Sequence, residues 1–134
     1  QSTKRHTTNS EFDVSKLETL PRVDIIYSHV DDDRIMADAA VAAGAKGIIH
    51  AGTGNGSIAN PTMEGLKDAV AKGVVVVRSA RVPNGATTVS LPMWTKAGFL
   101  ESDTLNPQKA RLLLQLALTK TQDPKEIQRM FDQY

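Results

Sequence analysis

The chain has 134 residues, enough for one domain with its own core, and 40% hydrophobic with 23% charged residues exclude global disorder. Sixteen Lys and Arg against 15 Asp and Glu leave a formal charge of +1, which offers no basic footprint for nucleic acid and no polybasic patch for a membrane surface. Without cysteine there is no disulfide or thiolate chemistry, and no apolar run approaches the roughly 20 residues of a membrane helix.

The chain opens QSTKRHTTNS, with neither Met nor an apolar leader, and reads as a mature chain or a piece of a longer one. Phe12, Val14, Leu17 and Leu20 follow at spacings that fit neither a helix nor a strand. Residues 1–22 are therefore expected to form an arm or linker that packs on something outside the segment, with a frayed terminus as the alternative. From residue 23 the pattern is regular. Val23–Val30 has strand composition, and Asp31 and Asp32 are good caps for a helix carrying Ile35, Met36, Ala39 and Ala40 on one stripe and ending at Gly44. Gly47–Ala51 is a second strand. After a glycine-rich loop, Met63, Leu66 and Val70 mark a helix stopped by Gly73, and Val74–Val77 is a β-branched run suited to a strand buried on both faces. This alternation predicts an α/β fold, a small parallel sheet of about four strands flanked by helices, over residues 23–134.

Arg81 to Asp103 is less regular, with Pro83, Gly85, Pro92 and Gly98 as breakers. Two helices close the chain. Asn106-Pro107 caps the first, whose buried face is Leu113, Leu114, Ala117 and Leu118. Asp123-Pro124-Lys125-Glu126 reads as a second cap with Glu126 placed as in a capping box, and Ile127, Met130, Phe131 and Tyr134 follow at helical spacing. The wide Leu face of the first helix is read as core rather than as a membrane or partner surface.

Gly54-Asn55-Gly56-Ser57-Ile58-Ala59 fits G-x-G-x-x-A between a strand and a helix, where unpaired N–H groups can cradle an anion. A dinucleotide site also wants an acidic residue at the end of the next strand, and that place holds Arg78, Ser79, Ala80 and Arg81. The arginines leave a 2′-phosphate as the surviving nucleotide option. No Gly-Lys-Ser/Thr follows, so the loop is not a Walker A. His6, His29 and His50 have no partners at helix-face metal spacing, so zinc is not expected. His50, in an apolar strand, is read as a core-edge histidine with a satisfied hydrogen bond, an acid/base role being the alternative. Asp31-Asp32-Asp33 is read as a solvated cap before a cation site. No G-x-S-x-G motif and no paired acids supply a nucleophile.

The phrases KRHTTNSEFDVSKLETLPRVDIIY, GAKGIIHAGTGNGS, VVVVRSARVPNGATT and LNPQKARLLLQLALTKTQDPKEIQRMFDQY, in one collinear order, resemble the bacterial type II L-asparaginases and glutaminase-asparaginases. The resemblance implies an interdomain linker (1–22) and a C-terminal α/β domain (23–134), with a larger N-terminal domain missing. It implies an amidohydrolase that converts L-asparagine, with L-glutamine as a second substrate, to the acid and ammonia through a threonine nucleophile and an acyl-enzyme. All nucleophilic and base residues would lie in the missing domain, so no catalytic residue is assigned to this chain, which alone is expected to be inactive. The resemblance further implies a homotetramer, a dimer of dimers with sites between paired subunits, and a periplasmic location. It implies no cofactor and no metal, and the charge balance has already pointed away from nucleic acid and membrane as partners.

By the same resemblance the chain would complete a neighbouring subunit's pocket through the end of the glycine loop, with Ser57 and Asn55 as substrate-binding residues. Ser57 stands where the family has Asn or Ser, and with His50 and Thr53 nearby it leans toward members that accept glutamine. The family's second contact is an acid in the loop after RVPxGATT. Val82 to Leu100 contains no Asp or Glu, and Glu101 lies beyond the Gly98-Phe99 landmark. Met93 and Trp94 look exposed in its place. The alternatives are a stand-alone α/β module that holds a nucleotide or small anion at Gly54–Ala59, and a domain that only folds and associates.

Overall fold

A computed structural model describes residues 4–88 and 91–134. Residues 1–3 of the polar start, and Val89 and Ser90 of the 82–100 loop, lie outside the described residues. The elements run β1 (Val23–Tyr27), α1 (Ile35–Ala42), β2 (Gly47–Gly52), α2 (Asn60–Ala71), β3 (Val75–Ala80), α3 (Pro92–Lys96), β4 (Leu100–Glu101), α4 (Pro107–Leu118) and α5 (Pro124–Gln133). The strands form one parallel sheet in the order β1-β2-β3-β4. This is the expected α/β fold.

A sheet that grows steadily in one direction through crossovers of one hand stacks its crossover helices on one face. Accordingly Ile26, Ile48 and Val76 pack with Ala37 and Ala40 of α1, Leu66 and Ala69 of α2, and Trp94 and Phe99 beyond. The other face would be bare without the last two helices. There Val23, Ile49, Val75 and Val77 meet Leu113, Leu114 and Ala117 of α4 and Ile127, Met130 and Phe131 of α5. β2 and β3 are buried along their whole length, as central strands covered on both faces are, and they carry His50, Arg78 and Ser79 into the interior with them.

Several local expectations change. The first strand stops at Tyr27 because Asp31 adopts a positive φ of 66° and turns the chain, leaving Val30 exposed. Asp33, not Asp31 or Asp32, accepts the amide of Ile35 at 2.8 Å. The stripe on α1 is also rotated from the expected one. Ala37 and Ala40 are buried, whereas Ile35, Met36 and Ala39 face outward. The reason is close approach: a Cβ on Gly65 of α2 would stand 2.8 Å from Arg34 Cβ and 3.2 Å from Ala37 Cβ, so only the small face of α1 fits there. Asn106 caps α4 through Lys109 N at 2.9 Å as expected, and Asp123 caps α5 through Lys125 N at 3.0 Å, with no part for Glu126. Trp94, expected at the surface, is a buried core residue.

The first part of the arm packs on the domain itself. Arg5 N–H donates to the Gln133 carbonyl at 2.7 Å, and Glu11 accepts both bonds of Arg129 NH2 at 3.0 and 3.2 Å with Lys120 3.5 Å away. The Phe12 ring lies 5.5 Å from that of Tyr134. Val14, Leu17 and Leu20 remain exposed. At the opposite sheet edge, the Gln128 amide accepts from Glu101 N–H at 2.9 Å and donates to the Glu101 carbonyl at 3.2 Å, which stands in for a missing strand.

Candidate ligand-facing loops

In an open parallel sheet, ligands bind beyond the carboxyl ends of the strands. Here those ends carry the loops 28–34 and 53–59 and the segment 81–88. β2 exits into a tight turn in which Gly54 and Gly56 take φ of 51° and 71°, values that side chains with a Cβ rarely adopt. The turn closes on itself: Thr53 and Ser57 form an isolated antiparallel bridge, with Ser57 N–H donating to the Thr53 carbonyl at 2.9 Å. Gly52 sits beneath it, and a Cβ there would collide with the backbone of Gly56 and Ser57.

Ser57 is exposed at the rim of a cleft of about 340 Å³ shared with Ser28, His29, Thr53 and Arg81. The cleft wall is braced from below. Arg81 N–H donates to the Gly52 carbonyl, and its guanidinium donates to the Ser28 carbonyl, both at 2.8 Å. Asp32 is buried and accepts the His29 amide at 2.9 Å, with His29 Nε2 3.1 Å from the same oxygen.

Asn55 points elsewhere. Its Oδ1 accepts the Thr88 amide at 2.7 Å and its Nδ2 reaches the Thr88 hydroxyl at 3.3 Å, so the side chain stitches the glycine loop to the loop after RVPNGATT. That second loop is anchored in turn, with Thr87 N–H donating to the Asp103 carbonyl at 2.8 Å.

Below both loops lies a charge that was read from sequence as a possible phosphate partner. Arg78 is 1% exposed, its guanidinium carbon is 4.0 Å from the Trp94 ring centroid, and Glu101, its register partner on β4, is 3.6 Å away. Desolvation is the largest influence on both groups and opposes their attraction, holding the Glu101 carboxyl above and the Arg78 guanidinium below their ordinary values. Arg78 therefore faces inward and cannot serve a 2′-phosphate outside. Pro61 in the first turn of α2 also removes one N–H from the anion cradle, and Ala59 brings no side-chain cap.

His50 corrects another expectation. It is fully buried, but neither ring nitrogen has a hydrogen-bond partner among the described residues. Burial dominates and pushes its pKa down to about 4; the Asp32 charge opposes this, and the smaller effect of the Arg78 charge adds to it. The ring is neutral at pH 7 and shielded from the cleft. The involvement of Arg78, Thr88 and Trp94 was missed from sequence, although a lone arginine inside VVVVRSA was a legible sign of a buried charge needing partners.

The fold and these loops define a small parallel α/β domain with a braced, polar rim at the carboxyl ends of its strands. The glutaminase/asparaginase C-terminal domain family matches residues 22–131, and the chain belongs to that family. Among its relatives, it is 52% identical to L-asparaginase 2 of Bacillus subtilis over 98% of this chain and 35% of that protein. It is 48% identical to the probable periplasmic L-asparaginase of Haemophilus influenzae over 97% of this chain and 38% of that one. It is 44% identical to the glutaminase-asparaginase of Pseudomonas fluorescens over 98% and 37%. The chain thus spans little more than a third of the length of these relatives.

Proposed function

We propose that this chain is the C-terminal part of an amidohydrolase that hydrolyses L-asparagine to L-aspartate and ammonia, with L-glutamine as a second substrate. Family membership carries the proposal, supported by relatives whose names state asparaginase and glutaminase-asparaginase activity. In this reading residues 1–22 lead from an N-terminal domain that holds the threonine nucleophile, and residues 23–134 are the domain proper. The chain's own contribution is the rim: the exposed Ser57 hydroxyl accepts a hydrogen bond from the substrate's α-ammonium side. Asn55 sets the loop that presents it. A dimer of dimers with each pocket shared between paired subunits gives the rim its ligand. The periplasm is the proposed location, supported by the name of the Haemophilus relative.

The test joins this chain to the N-terminal part of the Bacillus relative, replacing that protein's own C-terminal part, and compares Ser57 with Ser57→Ala. Loss of one hydrogen bond to a charged group is worth about 1.5–3 kcal/mol, so KM for L-asparagine should rise roughly tenfold or more. An unchanged KM in a folded, active protein would remove Ser57 from the rim.

A further inference from the structure

Among the described residues, Arg78 is the most deeply buried cation, and the chemistry assigned to the rim does not use it. Its two terminal nitrogens divide their bonds between separate loops. One donates to the Asn55 carbonyl at 3.1 Å and the other to the Thr88 carbonyl at 2.9 Å. These carbonyls belong to segments 33 residues apart, and the loops also touch directly, since a Cβ on Gly56 would lie 3.1 Å from Thr87 Cγ2. Trp94 covers the guanidinium and Glu101 supplies its countercharge.

A buried ion pair is often no more stable than apolar side chains of the same volume, so packing alone does not account for this one. A planar fork, unlike an ammonium, can donate in two fixed directions at once. We propose that Arg78 is a positioning residue that clamps the glycine loop to the Thr88 loop, so that Ser57 meets substrate on one rigid rim instead of two independently moving loops. The functional half of this proposal rests on Ser57 facing the substrate; the mechanical half does not. A lysine at 78 would reach one carbonyl and release the other.

The mechanical half is tested by amide hydrogen exchange in the 134-residue chain. In Arg78→Lys, the amides of Ser57 and Thr88 should both exchange about tenfold faster or more, while Ile48 and Val76 in the sheet keep their protection. A folded variant in which neither loop changes, or only the Thr88 loop does, overturns the clamp. If Arg78→Lys does not fold, Asn55→Ala decides: it removes the outer stitch and should speed exchange at Ser57, whose own acceptor is Thr53. No change at Ser57 overturns the coupling. In the joined enzyme described above, Arg78→Lys should raise KM for L-asparagine several-fold with kcat little altered, and an unmoved KM refutes the functional half. A joined enzyme that is inactive before any substitution defeats the Ser57 reading instead, and exchange still decides the clamp.

Discussion

His50 makes this domain acid-sensitive by an amount that can be worked out. The ring lies in β2, in register with Ile26 on one side and Arg78 on the other, fully buried and without a hydrogen-bond partner among the described residues. Its folded pKa of about 4 lies below the unfolded value of 6.5. A depressed folded value means that the unfolded chain takes up the proton first. Stability is therefore full above about pH 6.5 and is lost as pH falls toward 4. At about 1.4 kcal/mol per pH unit, and with the folded form half protonated at the end, the loss by pH 4 is about 3 kcal/mol. His50→Leu fills similar volume and leaves no orphaned nitrogen, so at pH 7 it should be neutral or slightly stabilising. Urea unfolding of both proteins at pH 7 and pH 4 isolates the effect. Carboxylates such as Glu11, whose pKa the Arg129 hydrogen bond holds low, titrate in both proteins and cancel in the difference. The variant should gain about 3 kcal/mol on the wild type between the two pH values. Parallel losses in the two proteins would refute the placement of a neutral, desolvated imidazole at this position.

Three further substitutions probe the architecture. Gly52→Ala forces a methyl into the backbone of Gly56 and Ser57 and should cost about 1–3 kcal/mol in urea unfolding, with chemical-shift changes concentrated in residues 52–59. Leu114→Ala empties the fully buried contact between α4 and β2 and should cost about 2–5 kcal/mol; a loss below 1 kcal/mol would mean that α4 is not seated there. Glu11→Gln removes the shared anion between Arg129 and Lys120, and limited proteolysis should then cut the segment before Val23 faster while the rest of the domain resists.

Much of this molecule was legible in its residues because the signals are local. Alternating β-branched runs and glycine stops gave β2, α2 and β3, and Asn106 and Asp123 marked the starts of the last two helices. The errors lie where a distant contact decides. Ile35 and Met36 are the larger apolar residues of α1, yet Gly65 thirty residues on invites Ala37 inward instead. Trp94 was expected to be exposed because nothing adjacent in sequence shows that Arg78 lies against its ring. His50 was expected to be satisfied, and only its complete burial between β1 and β3 shows that neither nitrogen has a partner among the described residues. At the rim, Ser57 and Asn55 were singled out by the resemblance of the glycine loop to the asparaginases, but the stitch between Asn55 and Thr88 depends on a pairing that spacing cannot encode.

The proposed role of this chain as the C-terminal part of an asparaginase is tested most directly by ammonia release from L-asparagine, measured side by side for the 134-residue chain and for that chain joined to the N-terminal part of the Bacillus relative. Turnover is expected from the joined protein and none from the chain alone above a mock-purified control. Ammonia from the chain alone, or a folded joined protein that leaves L-asparagine intact, would contradict that role.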